Sequence, residues 1–271
     1  PTDPIAVLGI LKRSNISGPM RAVITGESLF NDGIGVVLFL VLAGVASSPA
    51  AGLVWGGAVK LFVVEALGGL VLGFLLGLVG FLMLRSVDDY QVEVLITLAI
   101  VTGGYALAVL LHTSGPIAVV VAGLFIGNHG RLLAMSERTR ERLDMFWELV
   151  DEILNAVLFV LLGVEIFVID VSPSYVALGL MVIPLLLLSR TLAVSVPLGV
   201  LRLAGVTMER GSLMLLVWGG LRGGISVALA LSLVGSPYRT EILTITYVAV
   251  IFSVLVQGLT VGRVVAAVAR R

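Results

Sequence analysis

The sequence predicts an all-α, polytopic membrane helix bundle with discontinuous crossing helices, and three observations carry that prediction. Of 271 residues, 59% are hydrophobic and 13% charged, against about 45–50% and roughly 25% in ordinary soluble domains. With a mean hydropathy of +1.15, such a chain cannot cover a water-facing surface. Second, windows free of charge at 33–59, 66–84, 94–130, 171–189 and 242–262 reach or approach the roughly 20 apolar residues that one helix needs to cross about 30 Å of hydrocarbon. Third, two segments set helix-breaking residues beside charge: Pro1-Thr2-Asp3-Pro4, and Trp218-Gly219-Gly220-Leu221-Arg222-Gly223-Gly224-Ile225-Ser226. The net charge is zero and the 17 basic residues fall singly or in small groups, which excludes a nucleic-acid-binding surface. The absence of cysteine excludes a disulfide framework, a thiolate metal centre and a cysteine nucleophile.

Residues 1–11 read as a half helix, since eleven residues at about 1.5 Å each span only half the bilayer. Eight crossings follow, at about 20–46, 58–84, 91–111, 115–128, 145–168, 174–202, 210–234 and 239–268. The 94–130 window is too long for one helix and divides at His112-Thr113-Ser114-Gly115-Pro116, a turn signal. Basic residues check the count: Lys12, Arg13 and Arg21, then Arg85, then Arg131, Arg138, Arg140 and Arg142, then Arg202 and Arg210, and finally Arg270 and Arg271 occupy alternate loops. Cytoplasmic loops carry such an excess, so a multi-pass protein of the cell membrane with a cytoplasmic C-terminus is expected. One transmembrane domain over 1–271 is expected, as a fragment of a longer protein whose N-terminal helices are missing.

Ionisable residues at bilayer depth are costly and mark pathways by default. Two prolines three residues apart forbid an unbroken helix through Asp3, and unwound backbone at that depth is tolerated only inside protein or beside water. Thr2 therefore offers a free carbonyl and Asp3 a carboxylate. In Gly26-Glu27-Ser28-Leu29-Phe30-Asn31-Asp32-Gly33, Ser28 and Asp32 are four apart, as are Glu27 and Asn31, giving two adjacent polar stripes on one helix. Helix-packing polar contacts account for Ser28 and Asn31, but not for two aspartates and a glutamate. Around Arg222, four glycines weaken the helix and admit another backbone. That arginine needs a buried anion, and Glu27 is its expected partner. Broken helices near both ends of a chain are the pattern of inverted-repeat transporters.

These residues resemble the signatures of the monovalent cation:proton antiporters of the NhaP and sodium/proton exchanger type. Thr2-Asp3-Pro4, Gly26 to Gly33 and Gly220-Leu221-Arg222-Gly223-Gly224 carry the likeness, with Phe146-Trp147-Glu148, Asn155, Phe159, Gly163 and Val256-Gln257-Gly258-Leu259-Thr260. The resemblance implies that Asp32 binds cation and proton and that Asp3, Ser28 and the Thr2 carbonyl help to coordinate the cation. It further implies that Glu27 and Arg222 form a structural ion pair, with Asn31 and Arg190 in supporting parts. It implies a homodimer in the full-length protein. Hard monovalent cations want oxygen ligands, and crowded carboxylates also take protons, so sodium or lithium exchanging electroneutrally with protons is the expected activity. No resident cofactor and no enzyme activity are expected.

Other readings remain open at this point. The cation could be potassium. Two aspartates could form the dyad of an intramembrane aspartyl protease, although that leaves Arg222 unused, and a non-transporting sensor or scaffold could share the fold. Glu65, Glu93, Glu165 and Glu241 are expected near interfaces or helix ends. Glu148, Asp151 and Glu152 are expected at the cytoplasmic start of a helix, and His112 and His129 at turns or helix ends. Gly68-Gly69, Gly73 and Gly77 read as a helix-packing surface.

Overall fold

The computed structural model describes Thr2, residues 17–47, 55–165, Phe167, 172–206 and 211–269. Among these residues the regular elements are all helices, without a strand: α1 (Gly18–Ser47), α2 (Trp55–Ser86), α3 (Tyr90–Leu110), α4 (Gly115–Phe125), α5 (Glu137–Glu165), α6 (Pro173–Leu203), α7 (Ser212–Trp218), α8 (Gly224–Leu231), α9 (Arg239–Phe252) and α10 (Leu259–Ala269). A π-helical turn, Ile126–Gly130, and a short turn, Arg131–Leu133, prolong α4, and a second π turn, Ser253–Gly258, joins α9 to α10. Five stretches are long and apolar enough to cross a membrane: Gly18–Ala46, Val59–Ser86, Tyr90–Leu110, Pro173–Leu203 and Arg239–Val268. The other three expected crossings correspond to the shorter α4, the charge-bearing α5 and the α7–α8 pair. Pro1, Asp3, Pro4 and most of the expected half helix lie outside the described residues.

The turn at 112–116 forms for the reasons its residues suggest. His112 closes α3 with φ 52°. Ser114 caps α4 by accepting from the Ile117 N–H at 3.3 Å, and Pro116 occupies the first turn, where its missing N–H costs nothing. By contrast α5 begins eight residues before its predicted start. Its first turns, Glu137 to Asp144, are rich in charged helix formers, which hydropathy does not register but helix propensity favours. Glu148, Asp151 and Glu152 therefore lie well inside α5, exposed, rather than at its start.

The chain divides into two compact units, Pro1–Asn31 with Leu161–Arg271, and Asp32–Val160. In the second unit, α2 and α4 pack through the glycine face. A Cβ at Gly73 would stand 2.9 Å from the Ala118 Cα and 2.8 Å from the Val121 Cβ, and one at Gly77 2.9 Å from the Phe125 Cβ. Backbones this close leave no room for a methyl group, so Gly73→Ala forces the helices apart. Overpacking of this kind costs about 1–3 kcal/mol. A lowered melting temperature of the purified full-length protein is the expected result, and a variant melting with the wild type would contradict it. Leu84, Ile96, Ile100, Ala122, Ile126, Met135 and Leu143 form a core in the same unit. Glu93 lies in the first turn of α3, near the helix end as expected; it is 1% exposed, and neither carboxylate oxygen has a hydrogen-bond partner among the described residues.

In the first unit, Met20 and Ile24 of α1 pack with Val194 of α6, Leu215 and Leu216 of α7, and Val261 and Val265 of α10. A second cluster joins Leu162 to Val227 and Ala230 of α8 and to Leu243, Tyr247 and Val250 of α9. The Tyr175 hydroxyl donates to Glu241 at 2.9 Å, tying the start of α6 to the first turn of α9.

Candidate functional site

The site in the first unit is built around a helix that stops and restarts. At the end of α7 the Gly219 N–H still reaches the Leu215 carbonyl at 2.8 Å, and the Leu221 N–H then bonds to the Gly219 carbonyl at 2.8 Å. The chain continues through Gly223 in an extended conformation, φ −116° and ψ −167°, before α8 begins. The predicted break at the glycines is thus present. An interrupted helix leaves its last carbonyls without intrahelical donors, and here the Leu216 carbonyl is taken by Arg190 of α6, through Nη2 at 2.7 Å and Nε at 3.3 Å. A cation at this position also complements the negative end of the helix.

The same guanidinium grips Glu27 of α1 with two prongs, Nη1 on Oε1 and Nη2 on Oε2, the latter at 2.9 Å. Side-chain exposures of 10% for Arg190 and 31% for Glu27 place this pair in poorly solvated surroundings. The expected partnership of Glu27 with Arg222 is therefore corrected: Arg190 is the arginine of the ion pair. The physical reason is position. Arg190 leaves the middle of α6 and lies flat against Gly220, where a Cβ would stand 2.8 Å from its Cζ, so the glycine of the break opens the route to Glu27. Arg222 is half-buried within the break, and its N–H donates to the Ser253 hydroxyl at 2.7 Å.

Of the predicted oxygen ligands, Thr2 and Ser28 come together, each 4% exposed. The Ser28 hydroxyl donates to the Thr2 carbonyl, and Asn31 Nδ2 donates to the Thr2 hydroxyl at 3.3 Å. Thr2, Glu27, Ser28, Arg190, Gly219 and Gly220 share one small cavity of about 10 Å³. Asp32, one helical turn after Ser28 on α1, is half-buried. Asp3 lies outside the described residues. Sequence reasoning missed Ser253, which is 1% exposed. A serine and a glutamine four apart in an otherwise apolar helix, Ser253 and Gln257, were the available signal.

Residues 1–267 match the family described as sodium/hydrogen exchanger, transmembrane. The chain belongs to the sodium/hydrogen exchanger family. Among similar proteins, the Na(+)/H(+) antiporter NhaP of Pseudomonas aeruginosa is 52% identical over 268 residues, covering 98% of this chain and 63% of that protein. The Na(+)/H(+) antiporter NhaH of Halobacillus aidingensis is 40% identical, covering 97% of this chain and 65% of that protein. Sodium/hydrogen exchanger 7 of Arabidopsis thaliana is 30% identical over 251 residues, 89% of this chain and 22% of that protein. The chain thus spans less than two thirds of the length of these relatives, whose names are those of ion transporters rather than enzymes.

Proposed function

We propose that this exchanger chain carries the ion site of a secondary active transporter that exchanges sodium or lithium for protons, one for one and without net charge movement, by alternating access. The observation that carries the reading is the Glu27–Arg190 contact. It gives Glu27 a structural part, and the likeness of Thr2-Asp3-Pro4 and Asn31-Asp32 to the family's motifs supports Asp3 and Asp32 as the acids for which cation and proton compete. The names of the relatives support sodium and proton as the exchanged ions.

In this reading Asp32, Asp3, the Ser28 hydroxyl and the Thr2 carbonyl provide oxygen ligands of the kind a hard cation requires. A sodium ion takes Ser28 Oγ and the Thr2 oxygen as ligands in exchange for the hydrogen bond between them. The two aspartates carry a charge of minus two when empty, and minus one with either a sodium ion or a proton. The cost of moving charge through a low-dielectric barrier penalises the empty form most, so only loaded forms reorient, and competition at one site becomes obligatory exchange. The alternating basic loops support a cytoplasmic C-terminus, and the family resemblance supports a homodimer of the full-length protein.

The test is sodium-driven proton movement in vesicles containing the full-length protein, followed with a pH-sensitive dye. Exchange at the same rate with the membrane potential free or clamped to zero is the expected result. A net current accompanying sodium uptake would overturn the stoichiometry, and no proton movement with sodium, lithium or potassium would overturn the antiport reading.

A further inference from the structure

The unwound stretch 219–223 poses a problem that Arg190 solves on one side only. Backbone N–H groups at membrane depth must find partners within the protein, and the Arg222 N–H has left both half helices. It donates instead to Ser253 Oγ at 2.7 Å. In a helix, a serine hydroxyl commonly returns its own proton to a carbonyl of the preceding turn. Here Ser253 Oγ donates to Gln257 Oε1 at 2.9 Å. Both side chains are buried, at 1% and 4% exposure, and both belong to the π turn Ser253–Gly258. Such turns are uncommon and recur at functional sites.

The start of α10, directly after the π turn, reaches the end of α7 as well. Trp218 Nε1, in the last residue of α7, donates to Thr260 Oγ1 at 2.9 Å, and that hydroxyl in turn faces the carbonyls of Val256 and Gln257 in the π turn, the Val256 carbonyl being the nearer. Gln257 also lines, with Arg190, Gly220 and Arg222, a cavity of about 20 Å³, large enough for about one water molecule.

We infer that Ser253 and Gln257 are positioning residues: their hydrogen-bonded pair holds the unwound backbone at 219–223 in the form against which Arg190 lies. This inference rests on the antiport reading for its functional consequence, though not for the clamp itself. Ser253 bonds to backbone and to Gln257, not to Thr2, Ser28 or Glu27, so its loss acts on the conformational step and leaves cation affinity in place.

The test uses the full-length protein in vesicles, with turnover normalised to folded transporter, and amide hydrogen exchange at Arg222. Ser253→Ala is expected to lower turnover about tenfold, the scale of one lost net hydrogen bond, with the sodium KM within about twofold of wild type. Amide exchange at Arg222 quickens in the same variant, and Ser253→Thr, which retains the hydroxyl, restores both. Wild-type turnover and Arg222 protection in Ser253→Ala would overturn the inference. Should that variant fail to fold, Gln257→Leu decides the matter by the same two readouts. If the wild type itself exchanges no cation for protons, the antiport reading falls, while protection of the Arg222 amide still decides the clamp.

Discussion

Asp32→Asn is expected to reduce sodium-driven proton movement to the rate of empty vesicles while the protein remains folded in the membrane. Asparagine matches aspartate in size and keeps one acceptor oxygen, so α1 retains its shape around a half-buried position. What disappears is the charge and the proton-binding oxygen. Removing one charged partner of a desolvated ion costs about 2–5 kcal/mol, or roughly thirtyfold to several thousandfold in cation affinity. Proton exchange through this carboxyl stops altogether. The same variant separates the readings left open by the sequence: a protease would lose peptide cleavage, and a scaffold would lose neither activity. Sodium-dependent dye quenching in Asp32→Asn vesicles equal to that of wild type would remove Asp32 from the site.

Arg190→Ala is expected to be the most destabilising single change in the first unit. It strands the Glu27 carboxylate and the Leu216 carbonyl together, at a position where partial burial lets solvent replace the lost donors only in part. Breaking a buried pair from one side costs about 3–5 kcal/mol, and the 31% exposure of Glu27 places this pair toward the lower figure. Arg131–Asp144, with equally good bidentate geometry at 2.8 and 2.7 Å, provides the contrast. Its side chains are 47% and 52% exposed, and an exposed pair is worth about 0–1 kcal/mol, so Arg131→Ala should melt close to wild type. Adding Glu27→Gln to Arg190→Ala should recover part of the loss, because the stranded charge is gone, whereas Arg190→Lys should not restore a fork that spans two acceptors. Thermal melting of the purified full-length variants checks the series. Equal melting temperatures for Arg190→Ala and Arg131→Ala would remove the special weight given to the Glu27 contact.

The helices were legible because their causes are local. Apolar stretches of crossing length located α1, α2, α3, α6 and the α9–α10 helix to within a few residues. The Ser114 and Pro116 signal divided α3 from α4, and the glycines at 219–224 broke α7 from α8. The start of α5 was misplaced because hydropathy is blind to a charged but strongly helix-forming run, Glu137 to Asp144. Glu93 lies near a helix end, as expected, but its burial was not legible, because proximity to a helix end says nothing about what packs over that end.

The sequence by itself determined the membrane class, the order of the helices, the family likeness and the place of one break, because composition and backbone stereochemistry act over a few residues at a time. Tertiary structure alone decided that Arg190 rather than Arg222 neutralises Glu27, that Gly220 is the surface against which that arginine lies, and that Ser253 receives the stranded N–H. Arg190 and Glu27 stand 163 positions apart, and both arginines occupy apolar, membrane-depth segments with the same charge. Nothing local distinguishes them; the packing of α6 against the broken helix does, by bringing one guanidinium within reach of both a carboxylate and an unpaired carbonyl.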